Sequence, residues 1–155
     1  MLTVRSDETD CSIYLNELAS QVSLFGALSE AQLESLLHYL IPISAARGDF
    51  LFRQGDLPKG LYVLVQGSVD LVRDSGSFSQ RVAHYECGQT IGDTAYVGIQ
   101  AQVASARVCS DHAQLLFLDI SAIVDLQQRD PAVFSMLMMN IARDTSRKLH
   151  QFYAH

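Results

Sequence analysis

What this sequence lacks narrows what it can be. No apolar run approaches the ~20 residues needed to span a bilayer, so no membrane partner is expected. The opening stretch MLTVRSDETDCS is acidic and has no apolar segment, unlike a secretory leader, and the expected location is the cytoplasm. The three cysteines, Cys11, Cys87 and Cys109, are odd in number, widely spaced and without a CxxC pair, so neither a disulfide framework nor a zinc site is expected. The histidines His38, His84, His112, His150 and His155 show no metal-ligand spacing. Basic charge is scarce as well, with 11 Lys and Arg against 17 Asp and Glu and a net charge of −6. A DNA reader needs a concentrated basic patch. The densest one, Arg143, Arg147, Lys148 and His150, fits a helix end, where the backbone dipole favours cations. No DNA partner is expected.

What is present points to one globular domain. Apolar residues make up 48% and charged residues 18% of 155 residues, enough for a core that needs no crosslinks. Residues 1–12 are expected to be a flexible N-terminus and 13–155 a single domain in three segments. In residues 13–42, Leu15, Leu18, Val22 and then Leu33, Leu36, Leu37 and Leu40 recur at helical spacing. Phe25-Gly26-Ala27-Leu28 interrupts them, Ser29 suits an N-cap, and Pro42 is read as ending the second helix.

Residues 43–119 change character. Turn signals at Arg47-Gly48-Asp49, Gln54-Gly55-Asp56, Pro58-Lys59-Gly60, Gln66-Gly67, Ser75-Gly76 and Cys87-Gly88 separate short apolar runs: Phe50 to Phe52, Leu61 to Val65, Val69 to Val72, Val82 to Tyr85, Ala106 to Val108 and Leu115 to Leu118. Many short strands with no helical segment of ten residues between them imply an antiparallel β-jelly-roll. The unbroken apolar run from Leu61 to Val65 reads as a strand buried on both faces. The fold expected is mainly β with flanking helices.

Residues 120–152 return to helix. Ile120, Ile123, Val124 and Leu126 carry one; Asp130 as cap and Pro131 at the first position begin another. Its stripe of Val133, Phe134, Leu137, Met138, Ile141 and Leu149 is widened by Met136 and Met139, so that one face can pack on the roll and another can meet a partner. A homodimer through Phe134, Met136, Leu137, Met139 and Arg143 is the expectation, with a further, unidentified protein partner.

The order of helices, roll and helices, together with Leu24-Phe25-Gly26-Ala27-Leu28-Ser29, Gly48, Phe50-Leu51-Phe52-Arg53-Gln54-Gly55-Asp56 and Leu61-Tyr62-Val63-Leu64-Val65-Gln66-Gly67, resembles the cyclic-nucleotide-binding domains of catabolite-activator and Fnr-type regulators, kinases and gated channels. The likeness covers about residues 20–150. It implies a phosphate-binding cassette, usually Gly-Glu-(Leu)-Ala and, roughly ten residues on, Arg-(Ser/Ala/Thr)-Ala. The glutamate takes the ribose hydroxyl; the arginine and backbone N–H groups hold the cyclic phosphate. Here Gly92-Asp93-Thr94-Ala95 matches the first half, with Asp93 in the glutamate's place. The second half reads Gln102-Val103-Ala104-Ser105-Ala106, which puts the arginine on Ala104, or on Gln102 if counted without a gap. Arg107 is the one basic residue in reach, and strand alternation turns it away.

The expected function is therefore a stand-alone, bacterial-type regulatory module, not an enzyme. It is expected not to bind cAMP in the usual way and to act through protein contact or dimerisation. The alternative is a sensor of cAMP, cGMP or cyclic di-GMP, with Gly92, Asp93, Thr94, Ala95, Gln102, Ala104, Ser105, Ala106 and Arg107 as its ligand-binding set and movement of the C-terminal helices as its output. A third possibility keeps Gly92, Asp93 and Thr94 only as a turn and helix cap. No cofactor is required, and a cyclic nucleotide is the one candidate.

Overall fold

In the computed structural model, residue 17 and residues 20–154 are described; the expectation for residues 1–12 and most of the first helix lie outside them. After a 3-10 turn at Ser23–Phe25 comes helix α1, Glu30–Leu37. Ser29 caps it: its hydroxyl accepts from the Gln32 N–H, and the Gln32 side chain accepts from the Ser29 N–H in return. Both hydrogen bonds satisfy donors that the first helical turn leaves open.

Eight strands follow: β1 Ile41–Ala46, β2 Phe50–Phe52, β3 Gly60–Gln66, β4 Val69–Ser75, β5 Phe78–Tyr85, β6 Thr90–Ile91, β7 Ser105–Val108 and β8 His112–Asp119. Helix α2, Asp93–Gly98, lies between β6 and β7, and α3 Ile120–Arg129 and α4 Pro131–Ala154 close the chain. The strands form two four-stranded sheets, β1-β8-β3-β6 and β2-β7-β4-β5, with antiparallel pairing throughout. This is the jelly roll that the turn spacing implies.

Strand β3 explains why Leu61 to Val65 is apolar throughout. Leu61 and Val63 belong to a core cluster shared with Leu33 and Leu36 of α1, Ile123 and Leu126 of α3, and Val133, Leu137 and Ile141 of α4. Leu64, on the other face, joins Val69, Ile91, Ala106, Val108 and Leu115 between the sheets. One face of the strand meets helices and the other meets the opposing sheet, so neither side can be polar. At its start, a Cβ on Gly60 would collide with the Leu118 carbonyl, which fixes glycine there.

Two boundaries differ from those read in the sequence. Pro42 does not end a helix: α1 stops at Leu37 with His38 as its cap, and Pro42 lies in β1 opposite Leu116. β1 is the outer strand of its sheet, where a residue without an N–H is tolerated. The β4–β5 hairpin is also longer than its apolar core, because residues from Arg73 to Val82 are exposed and carry no apolar alternation to read. Asp119 caps α3 by accepting from the Ala122 N–H at 2.7 Å, and Asp130 accepts from Val133 N–H at 3.3 Å at the start of α4.

Candidate functional site

The cassette expected between two strands runs from β6 through α2 to β7. Gly92 holds φ +89°, a left-handed turn that an L side chain resists, and it swings the chain from β6 into the six-residue α2. Asp93, the first residue of the helix, is buried, with its side chain only 2% exposed. A carboxylate removed from water needs a charged partner or several hydrogen bonds.

It has one. The Lys148 ammonium, from near the end of α4, donates to Asp93 Oδ1 at 2.8 Å and Oδ2 at 3.0 Å. It also donates to the Thr90 carbonyl at 3.0 Å and stands 5.3 Å from the Tyr85 ring centroid. Burial, assisted by the nearby Asp93 charge, pushes the Tyr85 phenol up to about 12. The Thr90 hydroxyl is buried and has no hydrogen-bond partner among the described residues.

The second half of the cassette is occupied by its own backbone. Gln102 exchanges two backbone hydrogen bonds with the β2–β3 turn: Gly55 N–H to the Gln102 carbonyl and Gln102 N–H to the Asp56 carbonyl, each 2.8 Å. Ser105 Oγ accepts from the Gln54 N–H at 2.8 Å. Ala104 and Ala106 are buried and carry no charge into this segment. Arg107 is exposed and sits opposite Asp70 of β4, while its neighbours Ala106 and Val108 fill the space between the sheets; strand alternation turns it away as expected. Thr94 is exposed and Ala95 buried.

Of the residues named for the site, Gly92, Asp93, Ala95, Gln102, Ala104, Ser105 and Ala106 are buried, whereas Thr94 and Arg107 are exposed. The residue missed is Lys148. Nothing local in sequence marks it, since 55 positions separate it from Asp93, and beside Arg143, Arg147 and His150 it looks like a solvated cation. Helix α4 runs on to Ala154 with no basic residue in its last turn, so these cations do not sit at the helix end that their clustering suggests.

The set named for a partner divides. Leu137 is fully buried in the helical core and cannot face a second chain, which corrects its place in that set: the side of α4 carrying Val133, Leu137 and Ile141 is the side that packs. Phe134 is half-buried against the same core and Met136 is half-buried. Met139, at 51% exposure, and Arg143 remain outward, as do Leu149, Phe152 and Tyr153 further along.

A family model described as cyclic nucleotide-binding domain matches residues 42–130, more than half of the chain and the whole cassette. The chain belongs to the cyclic nucleotide-binding domain family. The cAMP-dependent protein kinase type II regulatory subunit of Drosophila melanogaster is 27% identical over 106 residues, which is 68% of this chain and 28% of that protein. The chain thus spans less than a third of that relative's length. A cyclic nucleotide-binding domain from Methylobacillus flagellatus superposes with a TM-score of 0.82 at 19% identity, covering 94% of this chain and 82% of that one. The Thermus thermophilus catabolite activator protein superposes with a TM-score of 0.72 at 26% identity, over 85% of this chain and 60% of that one. The protein thus has the cyclic nucleotide-binding fold. Among its described residues no helix is long and apolar enough to cross a membrane.

Proposed function

We propose that this chain is a bacterial-type, cytoplasmic regulatory module, without a catalytic role, that keeps the cyclic nucleotide-binding fold but not the usual means of holding cAMP. Its cassette is closed from within by α4, and it signals through protein contacts of that helix, self-association among them. The observation that carries this reading is the Lys148–Asp93 pair. An incoming cyclic phosphate meets a buried carboxylate, and the cation beside it is already committed.

The magnitudes favour the closed state. A missing charge-assisted contact to phosphate costs about 1.5–3 kcal/mol, or about one to two decades of affinity. Drawing Lys148 away to serve the phosphate would strand Asp93, and breaking a buried pair costs about 3–5 kcal/mol, somewhat less here because Lys148 keeps 26% exposure.

A second reading, a sensor of cAMP, cGMP or cyclic di-GMP, is favoured by two features of the same place. Lys148 ties the last turns of α4 to the cassette through its bonds to Asp93 and the Thr90 carbonyl, and the Thr90 hydroxyl has no partner among the described residues. A ligand that exchanged with Asp93 for the ammonium would free the end of α4.

Calorimetry on the full chain with these three nucleotides separates the two readings. No heat at millimolar ligand is expected; saturable micromolar binding by any of them overturns the closed-cassette reading and establishes the sensor. Sedimentation of the same protein tests self-association. A dimer that Met139→Asp dissociates is expected, and a wild-type monomer at high concentration removes the dimer.

A further inference from the structure

The outer face of the second sheet carries a donor set unrelated to the cassette. Asp70 of β4 and His84 of β5 are directly opposed across the strand pair. Cys109, just beyond β7, bonds through its N–H to the Ser68 carbonyl at 3.1 Å, so it lies opposite Ser68, two residues from Asp70 on β4. Because Val69, between them, is buried in the core, Ser68 and Asp70 share the outward face. A carboxylate oxygen, an imidazole nitrogen and a thiol sulfur thereby come within 4.8 Å of one another. Three adjacent strands in fixed register set this arrangement.

The surroundings suit a metal ion. His84 Nδ1 lies 2.6 Å from Asp70 Oδ1, and its other nitrogen, Nε2, lies 3.4 Å from Glu86 Oε1. A carboxylate behind the far ring nitrogen is the partner that orients metal-bound histidines. Ser68 Oγ is 3.1 Å from Cys109 Sγ and can donate to a thiolate there. The side chains of Asp70 and His84 keep 20% and 35% of their exposure, which leaves an open approach. Arg81 stands 3.8 Å from Asp70 Oδ1 but is 63% exposed, free to swing aside.

We propose that Asp70, His84 and Cys109 form a binding site for a borderline-soft divalent cation of the Zn2+ class. One sulfur, one nitrogen and one oxygen donor match the ligand preferences of that ion, and water completes the four-coordinate shell as it does in open zinc sites. His84 binds through Nδ1 and donates Nε2–H to Glu86. Cys109 binds as thiolate, and its proton leaves to solvent.

Cobalt(II), which reports thiolate ligation through a charge-transfer absorption, tests the site. The reduced, chelator-treated full chain is expected to take up one equivalent of Co2+ with that absorption, and Zn2+ is expected to abolish it. Cys109→Ser removes the absorption, whereas Cys87→Ser and Cys11→Ser retain it. Glu86→Gln, at an exposed position that does not threaten folding, weakens binding about tenfold, and His84→Gln weakens it further; circular dichroism confirms that each variant is folded. No absorption in the wild type, or one that survives Cys109→Ser and disappears with Cys87→Ser, overturns the proposal.

Discussion

The two sheets of the roll meet the rest of the chain on different terms. The sheet β1-β8-β3-β6 lies under α1, α3 and α4, and its outward residues Leu61, Val63, Leu116 and Leu118 are part of the helical core. The sheet β2-β7-β4-β5 turns its outer side to water, and there Asp70, His84 and Arg107 stand on neighbouring strands with Ser68 and Cys109 just beyond the strand ends. The same alternation of side chains yields apolar packing on one sheet and a polar donor set on the other, because only one has helices laid over it. The charged groups follow the same division. Beside the covered sheet, Asp93 is sealed in and must be paired; on the open sheet, Asp70 keeps company with His84 and Arg81 near solvent, where a pair contributes about 0–1 kcal/mol.

Truncation should reveal this contrast most strongly. Leu118→Ala, beneath the helices and 1% exposed, is expected to cost about 2–5 kcal/mol, whereas Val82→Ala on the open sheet, 47% exposed, should stay within about 0.5 kcal/mol. Chemical denaturation compares them, and equal losses would erase the distinction between the sheets.

The ion pair comes next. Lys148→Met leaves Asp93 buried without its cation and should destabilise the protein by about 3 kcal/mol, allowing for the partial exposure of Lys148. The double variant Asp93→Asn/Lys148→Met should recover most of that. A double variant as unstable as the single one would mean that Lys148 acts through packing of its stem rather than through charge.

The smallest effect lies within the covered side, at the Asp119 cap between β8 and α3. Hydrogen bonds from the Ser121 hydroxyl first and then the Ala122 N–H hold the Asp119 carboxyl below its ordinary value. A depressed carboxyl contributes stability at neutral pH that is lost as pH falls from its unfolded value through its folded one. Asp119→Ala should therefore cost about 1 kcal/mol at neutral pH and much less in acid. Thermal melts across that range check the sign; a loss independent of pH would assign the effect to the helix backbone alone.

Much of this was legible in the chain because it is written in local periodicity. The turn residues, the apolar run at Leu61 to Val65, the Ser29 cap and the Asp130-Pro131 start each report a backbone preference or a burial pattern within a few residues. The length of the β4–β5 hairpin is not legible in the same way, because its tip carries solvent-facing side chains on both sides. Periodicity gives the width of the apolar stripe on α4 and not which edge of it packs, so it cannot tell the buried Leu137 from the outward Met139.

The sequence alone determined the roll and its flanking helices, since turn chemistry and side-chain alternation act over short distances and need no partner. Only the tertiary structure decided which charge meets which. Lys148 reaches Asp93 across 55 positions, and Asp70 of β4, His84 of β5 and Cys109 just beyond β7 converge. Electrostatic and ligand contacts depend on distance through space, and it is the packing of α4 and the register of the sheets that bring these groups within reach.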